Sequence, residues 1–264
     1  MSSYKLNYKF QKADSRDYIY QLPVQVVKLA QVASTLAKAV PVPVIIPFSL
    51  PIPKVILDQG DLGSCVSNAT AQAINMQTKN TFQMSRLLHY YLGRCMDTTN
   101  QLTNLDDTGL NVRQSCKIIS KYGANKESVW SYNISQFNTL PPLSVFQGIK
   151  YFRKYNYVAI NQDFNSLSTY LKTNNSPIIF GFQVYSSFLT DQVARSGQVP
   201  LPNIQTETLE GGHCMIIIGY NTTQFICVNC WSSRWGAKGL CYIPQTYLLN
   251  PTLASDFTGL QFIW

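Results

Sequence analysis

The sequence predicts an α+β protein with two lobes, because its helical and strand-like stretches are separated along the chain. In the first half, Val66, Ala69, Ala73 and Ile74 recur at the spacing of one buried helix face. After Asn161, short apolar runs bounded by turn residues predict strands instead. Segregation of this kind is typical of α+β folds.

Three helices are expected in the first half. The first begins after Ser64, a suitable N-cap, and continues towards Gln77. The second covers residues 85–95, and the third covers residues 112–122 and ends at Gly123, a residue type common just after a helix. Strands are expected at residues 177–184, 215–220, 225–231 and 239–243.

The pattern divides the chain into three regions. Residues 1–55 look irregular, with a short amphipathic helix expected over 24–39 and extended, proline-rich chain over 40–53. Residues 56–160 are assigned to a helical lobe and residues 161–264 to a β-rich lobe. The first region is expected to pack along a surface, because it does not build a core alone.

Composition fits a globular protein with a large core. The chain has 264 residues, of which 45% are hydrophobic, and its 21 Lys and Arg against 13 Asp and Glu give a net charge of +8. The positive charges are scattered and no nucleic-acid-binding motif occurs, so no nucleic-acid partner is expected. The longest apolar region, Val26 to Leu50, is interrupted by lysines and prolines, so no membrane span is expected.

The N-terminus and the cysteines bear on the cellular compartment. Residues 1–7 are polar and lack the apolar core of a secretory signal peptide. There are seven cysteines, an odd number, and their spacing does not suggest a disulfide framework. A reducing, intracellular compartment is therefore expected. The sequence does not predict an oligomeric state.

The candidate nucleophile is Cys65, which follows the glycine-punctuated loop from Asp58 to Ser64. A cysteine in the first turn of a helix lies near unpaired N–H donors and the positive end of the helix dipole. Both lower the pKa of a thiol, so Cys65 is expected to ionise readily. Such a thiolate needs a neighbouring base to complete a catalytic site.

Of the two histidines, His213 is the candidate base. It follows Gly211 and Gly212 and enters an apolar strand, where a rigid backbone holds the ring at an opening. His89 lies within a predicted helix and is interpreted as a structural residue.

Two amide side chains complete the candidate site. Asn229, on a neighbouring strand, offers an oxygen that holds the His213 ring in one tautomer, and Trp231 covers that contact. Gln59 and the backbone N–H of Cys65 form the expected oxyanion hole.

These motifs resemble the papain family of cysteine peptidases, which includes the cathepsins. The Gln59–Cys65 stretch with its glycines is similar to the family's cysteine loop, and Gly212–His213 before an aliphatic strand is similar to its histidine strand. Asn229 and Trp231, followed by Trp235–Gly236, match the asparagine motif. The interval between Cys65 and His213 falls in the range of roughly 130–150 residues expected between these two residues.

A compact branch of the family, found in bacteria, archaea and some large DNA viruses, is more similar still. Its early Asp-x-Arg-Asp-Tyr segment matches residues 14–18, and its Lys-Tyr-Gly and Glu-Ser-x-Trp-x-Tyr segments match residues 121–123 and 127–132. The resemblance spans nearly the whole chain. Because this branch occurs in large DNA viruses, a virion is a second expected location of the protein, besides a reducing intracellular compartment.

The sequence departs from the family pattern at three places, one of which, Trp231–Ser232 in place of Trp-Gly, lies in the turn after Asn229. Val66 follows the nucleophile where the family usually has tryptophan, which removes packing at the cleft rim but no catalytic atom. Leu62 stands where secreted relatives have a disulfide-bonded cysteine, in agreement with a reducing compartment.

The resemblance implies the papain-like fold, with a helical lobe, a β-barrel-like lobe and the active-site cleft between them. It implies a thiol protease that cleaves a polypeptide substrate through a Cys65 thiolate and a His213 imidazolium, without a cofactor. The same resemblance implies five substrate-binding residues. These are Asp107, Thr108, Gly109, Gly212 and Trp231.

Several alternatives remain open. The chain is either an active peptidase or a catalytically silent or occluded papain-fold protein, such as a virion component. A related hypothesis makes residues 1–55 a pro-like segment that crosses or flanks the cleft. A transglutaminase-like transferase is disfavoured, because such enzymes usually orient the histidine with Asp. The pair Cys227 and Cys230 suggests a metal site only weakly, because residues three apart on a strand face opposite sides.

Overall fold

The structure is a computed structural model. It describes residues 4–12, 14–23, 45–97, 102–103, 105–148 and 155–262. The helix expected over 24–39 and the first part of the extended segment lie outside these residues.

The three helices expected in the first half are all present. Helix α1 spans Cys65–Gln77, α2 spans Arg86–Asp97 and α3 spans Val112–Tyr122. Each begins and ends within two residues of its predicted limits. Helix α3 starts with a reciprocal capping box between Asn111 and Gln114, which satisfies two of its free N–H donors. Helix α4 follows at Leu143–Gly148.

Within the described residues, one antiparallel sheet of seven strands occupies most of the second half. Its strands are β1 Phe48–Ser49, β2 Tyr155–Ala159, β3 Ile178–Tyr185, β4 Leu209–Tyr220, β5 Gln224–Val228, β6 Leu240–Pro244 and β7 Ala254–Phe262. The strands are ordered β2-β7-β3-β4-β5-β6, and β1 pairs with β4. Strand β4, long and central, carries His213, and β7 lies two places away.

Several features of the second half differ from the predicted pattern. Strand β7 was not among the expected strands, and β4 begins at Leu209, before its predicted limit of 215. Strand β2 begins at Tyr155, before the change of pattern expected at Asn161. Helix α5, Phe164–Asn174, was not predicted; Asp163 caps its N-terminus through the Ser166 N–H. Its many Ser, Thr and Asn residues weaken the helical sequence signal, since these residues also favour turns. Short helices α6 Asp191–Ser196 and α7 Gln245–Leu248 complete the fold.

Helix α1 is buried from Cys65 to Asn75 and packs on helices α2 and α3 and on strand β4. Its small residues allow close approach, and its fully buried polar side chains are hydrogen-bonded within the protein, whereas Gln77 Oε1 at its end has no partner among the described residues. Gln72 accepts the Leu57 N–H at 3.2 Å, and Thr70 lies 2.6 Å from Ser115 of α3. Burying these groups without partners would cost about 1–3 kcal/mol each, so the network fixes the position of α1.

No helix in the described part of the chain is both long and apolar enough to cross a membrane.

Candidate active site

Cys65 is the first residue of α1 and has no exposed surface. Ser64 precedes the helix as expected, but its side chain does not cap it. Its hydroxyl instead lies 2.5 Å from the Tyr132 hydroxyl and accepts a hydrogen bond from Asn68 Nδ2 at 2.9 Å. Ser64 therefore braces the turn before the nucleophile through side chains and leaves the backbone amides of the first helical turn free for the thiol.

His213 and Asn229 form the contact expected of them. His213 Nε2 lies 2.9 Å from Asn229 Oδ1. The amide oxygen accepts, so Nε2 carries the proton in the neutral ring and Nδ1 carries the lone pair. Trp231 lies over this contact, with 4.8 Å between its ring centroid and that of His213. Asn229 follows the last residue of β5 and is held by its N–H bond to the Gly239 carbonyl, 2.9 Å.

Cys65 and His213 lie on two elements that pack against each other, α1 and β4. The backbone amides of Cys214, Val66 and Cys65 itself each act to lower the pKa of the Cys65 thiol. Cys214 is the residue next to His213 on β4. Within the described residues His213 Nδ1 has no hydrogen-bond partner, so this lone pair is available to accept the thiol proton.

Two backbone hydrogen bonds between residues 57–59 and residues 230–232 position Gln59. Its N–H donates to the Cys230 carbonyl at 2.8 Å, and the Ser232 N–H donates to the Leu57 carbonyl at 3.1 Å. Gln59 Oε1 accepts from Trp231 Nε1 at 3.2 Å and from Cys230 Sγ at 3.1 Å. Two donors on Oε1 fix the amide orientation, so Nε2 is the donor end. One of its two hydrogens donates to the Leu62 carbonyl at 2.9 Å, which leaves the other for an oxyanion.

Burial dominates the ionisation of the pair. It raises the pKa of Cys65 to about 12, although the three backbone amides act in the opposite direction. Burial also lowers the pKa of His213 to about 4, against the effect of the Asn229 hydrogen bond. The low thiol pKa expected from the helix N-terminus is therefore not found. Desolvation of the charged forms outweighs the helix dipole while the site is covered.

The chain's own residues 4–10, called here the cleft segment, cover the site. The Lys5 carbonyl accepts a hydrogen bond from Gln59 Nε2 at 3.0 Å and so takes the donor predicted for the oxyanion. The Tyr4 ring stacks on Trp231 with centroids 4.6 Å apart. The Tyr8 N–H donates to the Gly212 carbonyl at 3.0 Å. Cys65 and His213 are closed off from solvent beneath these contacts.

Each of the five predicted substrate-binding residues contacts the cleft segment. Asp107 Oδ2 lies 2.7 Å from Lys5 Nζ, and Thr108 Oγ1 accepts from Lys9 Nζ at 3.2 Å. Gly109 has φ +75, and a Cβ there would lie 1.6 Å from the Asn7 carbonyl oxygen. Gly212 and Trp231 make the contacts with Tyr8 and Tyr4 described above. The surfaces expected to hold a polypeptide thus hold one in this structure.

Asp107 also supports the cysteine loop. Its carboxylate accepts the Gly63 N–H at 3.0 Å and the Tyr90 hydroxyl at 2.5 Å. The Tyr90 hydroxyl in turn accepts the Gly109 N–H at 3.0 Å. All seven cysteines, which lie within the described residues, are free thiols. Hydrogen bonds to a carboxylate therefore join the cysteine loop to the neighbouring wall where secreted relatives are expected to use a disulfide.

Sequence reasoning missed three tyrosines at the site. Tyr132 donates to the Gln59 carbonyl at 2.8 Å and braces Ser64. Tyr4 and Tyr8 lie far from the site in sequence, and no local pattern marks them. Tyr132 belongs to a segment that matches the compact branch, and this match was its one available signal.

His89 joins the three large helices, as its structural interpretation requires. Its Nδ1 lies 3.0 Å from Ser67 Oγ of α1, and its Nε2 lies 3.1 Å from the Ser115 carbonyl of α3. Burial lowers the pKa of His89 to about 4. The unfolded chain takes up this proton below about pH 6.5, whereas the folded chain takes it up only near pH 4.

We expect the free energy of unfolding to fall as the pH falls from about 6.5 to 4, by up to about 1.4 kcal/mol per pH unit for each buried histidine. His89→Gln removes one of the two contributions and should reduce this slope by about half, because His213 titrates in the same direction. Urea unfolding at several pH values between 7 and 4.5 measures this slope of the free energy of unfolding with pH. A slope unchanged in His89→Gln would show that this histidine does not titrate on unfolding.

The Cys227 and Cys230 pair does not form a shared site. Cys227 pairs across the sheet with Cys241, while Cys230 contacts Gln59. Within the described residues no cluster of three or more His, Cys, Asp or Glu side chains is placed to hold a metal ion.

A Cys–His–Asn arrangement between a helix N-terminus and a sheet is typical of thiol hydrolases, and comparison with known proteins identifies the family. The model of the papain family cysteine proteases matches residues 52–250. The chain belongs to this family, and it is a papain-like cysteine peptidase. An uncharacterized peptidase C1-like protein of Acanthamoeba polyphaga mimivirus is 34% identical over 221 residues, which cover 78% of this chain and 69% of that protein.

Solved structures confirm the papain-like α+β fold. The cysteine protease Xylellain from Xylella fastidiosa superposes with a TM-score of 0.82 at 27% identity, covering 99% of this chain and 98% of that one. A procathepsin B from Trypanosoma congolense gives a TM-score of 0.65 at 16% identity, with 98% and 87% covered, and supports the fold alone. The bacterial and viral relatives confirm the resemblance seen in the sequence.

Proposed function

We propose that Cys65, His213, Asn229 and Gln59 carry the peptidase activity of this chain. His213 Nδ1 takes the Cys65 proton, and the thiolate attacks the carbonyl carbon of a peptide bond. Gln59 Nε2 and the Cys65 amide donate to the oxygen as it becomes negative. The His213–Asn229 hydrogen bond is the observation that carries this assignment, because it leaves Nδ1 as the proton acceptor.

The remaining steps follow from the same groups. His213 returns its proton to the leaving amine as the C–N bond breaks, which leaves a thioester on Cys65. Water then gives a proton to His213 and adds to the thioester carbon, and the thiolate leaves. Asn229 keeps the ring in the same orientation through both proton transfers.

We propose further that the cleft segment holds the enzyme in a closed form, so that residues 1–55 include a pro-like element. Its Lys5 carbonyl takes the Gln59 donor, and its contacts cover the residues that a substrate would need. Burial of both catalytic groups supports the proposal, because it favours the neutral thiol and the neutral imidazole over the reactive pair. Displacement of the segment would restore solvent to both groups.

A peptidyl epoxide that alkylates active-site thiolates tests the catalytic assignment. In the full-length Tyr8→Ala variant, in which the cover of the cleft is weakened, labelling followed by mass spectrometry is expected at Cys65, to be lost when Cys65→Ala is added, and to be strongly slowed when His213→Ala is added. Cys95→Ala is the matched control, since Cys95 is a partly exposed thiol on α2 and should not affect labelling. Labelling that persists in Cys65→Ala would contradict the assignment.

The catalytically silent alternative makes a different prediction. If neither the full chain nor the full-length variant Tyr8→Ala reacts with the epoxide, while both give folded-state circular dichroism, the papain fold serves a binding or structural role here.

A further inference from the structure

A largely buried arginine lies behind the loop that carries the proposed oxyanion donors. Arg86 is the first residue of α2, and its side chain is 13% exposed. The loop runs from Asp58 to Ser64, with Gln59 at its start and Cys65 directly after its end. Since an arginine is rarely buried without acceptors that match its N–H groups, the partners of Arg86 indicate what it holds.

The guanidinium of Arg86 holds both ends of this loop. Its Nη1 donates to the Asp58 carbonyl at 3.0 Å. The same nitrogen donates to Asn68 Oδ1 at 2.8 Å, and Asn68 Nδ2 donates to the Ser64 carbonyl at 3.0 Å. One side chain therefore holds, directly or through Asn68, the residue that precedes each of the two proposed oxyanion donors.

The flat face of the guanidinium makes a second kind of contact. Its central carbon lies 4.0 Å from the centroid of the Tyr132 ring. The hydroxyl of this tyrosine donates to the Gln59 carbonyl and lies against Ser64 Oγ, so the ring braces the same loop from the other side. A planar group that stacks with its face and donates with its edge meets both requirements, whereas the ammonium of a lysine does not.

Glu127 fixes the arginine in turn. Its Oε2 accepts the Arg86 backbone N–H at 3.1 Å, and its Oε1 lies 3.4 Å from Arg86 Nη2. The same Oε1 accepts the Tyr132 N–H at 2.9 Å. Glu127 and Tyr132 are the first and last residues of the Glu-Ser-x-Trp-x-Tyr segment, which the proposed catalytic steps do not use. Both ends of that segment therefore serve to orient the arginine and the ring on which it stacks.

From these contacts we infer that Arg86 is a positioning residue for the oxyanion hole, and that its guanidinium fixes the Gln59 donor and the Cys65 amide relative to each other. The inference rests on the proposed peptidase function. Arg86 acts through the backbone of the loop and not on the substrate. A donor stabilises the transition state only when it already lies where the charge develops, and a misplacement of about 1 Å costs on the order of 10²-fold in rate.

Arg86→Ala tests the inference in full-length Tyr8→Ala, the parent variant, in which the cover of the cleft is weakened. We expect kcat for a fluorogenic peptide to fall by about 10²-fold, with KM changed by less than about threefold. Alkylation of Cys65 by iodoacetamide develops no oxyanion and should change only a few-fold. Arg195→Ala is the matched control, because Arg195 is 76% exposed on α6 and should leave both rates unchanged.

A double-mutant cycle with Gln59→Ala identifies the route of the effect. If Arg86 acts by placing the Gln59 donor, its removal should cost far less once that donor is absent, because residues that act as a unit are not additive. We expect the effect of Arg86→Ala on kcat to shrink from about 10²-fold to less than about tenfold in Gln59→Ala. Effects that multiply, or a loss of alkylation equal to the loss of hydrolysis, would overturn the inference.

A second variant, Arg86→Lys, keeps a positive charge beside Glu127 and serves if Arg86→Ala does not fold. It should show the same selective fall in kcat, because an ammonium cannot replace the planar group. A cavity of about 450 Å³ opens beside Arg86 and is lined in part by Leu57 and Glu127. Guanidinium chloride at millimolar concentration should therefore restore part of kcat in folded Arg86→Ala, whereas methylammonium chloride should not. An unchanged kcat in Arg86→Lys would overturn the inference.

The Gln59→Ala arm separates this inference from the proposed function. A fall in kcat in Gln59→Ala, with no fall in Arg86→Ala or Arg86→Lys, overturns the positioning role and leaves the catalytic assignment intact. Hydrolysis by the parent variant that persists unchanged in Gln59→Ala overturns the oxyanion assignment and this inference with it. A fall in both arms that is not additive and spares alkylation supports both.

Discussion

Gln59→Ala is expected to lower kcat for peptide hydrolysis by about 10²–10³-fold, with a smaller change in KM. Gln59 Nε2 is the side-chain donor of the proposed oxyanion hole, and loss of one such donor costs about 2.7–4 kcal/mol in the transition state. The donor is held by Trp231 and Cys230, which fix the amide through its oxygen. Steady-state kinetics on the most rapidly cleaved peptide measure the effect.

Alkylation provides the control for this prediction. Reaction of Cys65 with iodoacetamide forms a carbon–sulfur bond at a saturated carbon and develops no oxyanion. Its rate should therefore change only a few-fold in Gln59→Ala if the donor acts on the tetrahedral intermediate. An equal loss in hydrolysis and alkylation would show that Gln59 acts by holding the cysteine loop. Gln59→Glu keeps the acceptors for Trp231 and Cys230 and is the matched variant.

Tyr8→Ala is expected to raise the rate of Cys65 alkylation and the hydrolysis of short peptides by roughly 10²–10³-fold. Truncation of a buried aromatic side chain costs about 3–5 kcal/mol, and here the cost falls on docking of the cleft segment. The closed form is weakened relative to an open form by that amount, and every tenfold change needs about 1.4 kcal/mol. Exposure of the site also removes the cause of the raised Cys65 pKa, so the pH at which alkylation becomes rapid should fall.

Tyr18→Ala is the matched control, because Tyr18 is 68% exposed and should not affect closure. Tyr4→Ala, which removes the stack on Trp231, should act in the same direction as Tyr8→Ala. A faster reaction accompanied by a large fall in melting temperature would reflect general unfolding. Rates unchanged from the parent chain would show that the segment does not limit access.

The helices and the strands around the site could be predicted because their sequence signals are local. Helix α3 ends where Gly123 adopts a φ of +88, which favours glycine. The pairing of His213 with Asn229 was expected from the order and chemistry of two motifs. Helix α5 was missed because its polar residues carry no strong period, and its burial against β4 supplies the stability that its sequence does not show.

The cover of the cleft could not be derived in the same way. The contact between Tyr4 and Trp231 joins residues 227 positions apart, and no period or turn signal links them. Burial, and not the helix N-terminus, determines the pKa of Cys65. The argument from the helix start therefore predicted a lowered pKa where burial raises it. The proline spacing after Val40 indicated an extended lead-in but not the surface on which residues 4–10 lie.

The order in which the parts of the cleft appear along the chain has a consequence for synthesis. Residues 4–10 leave the ribosome before Cys65, and His213 and Asn229 come later, since translation proceeds from the N-terminus. The site is therefore complete only after Asn229 has been made, when the peptide that covers it is already present. In the proposed closed form, the cleft segment is thus available to dock as soon as the cleft forms.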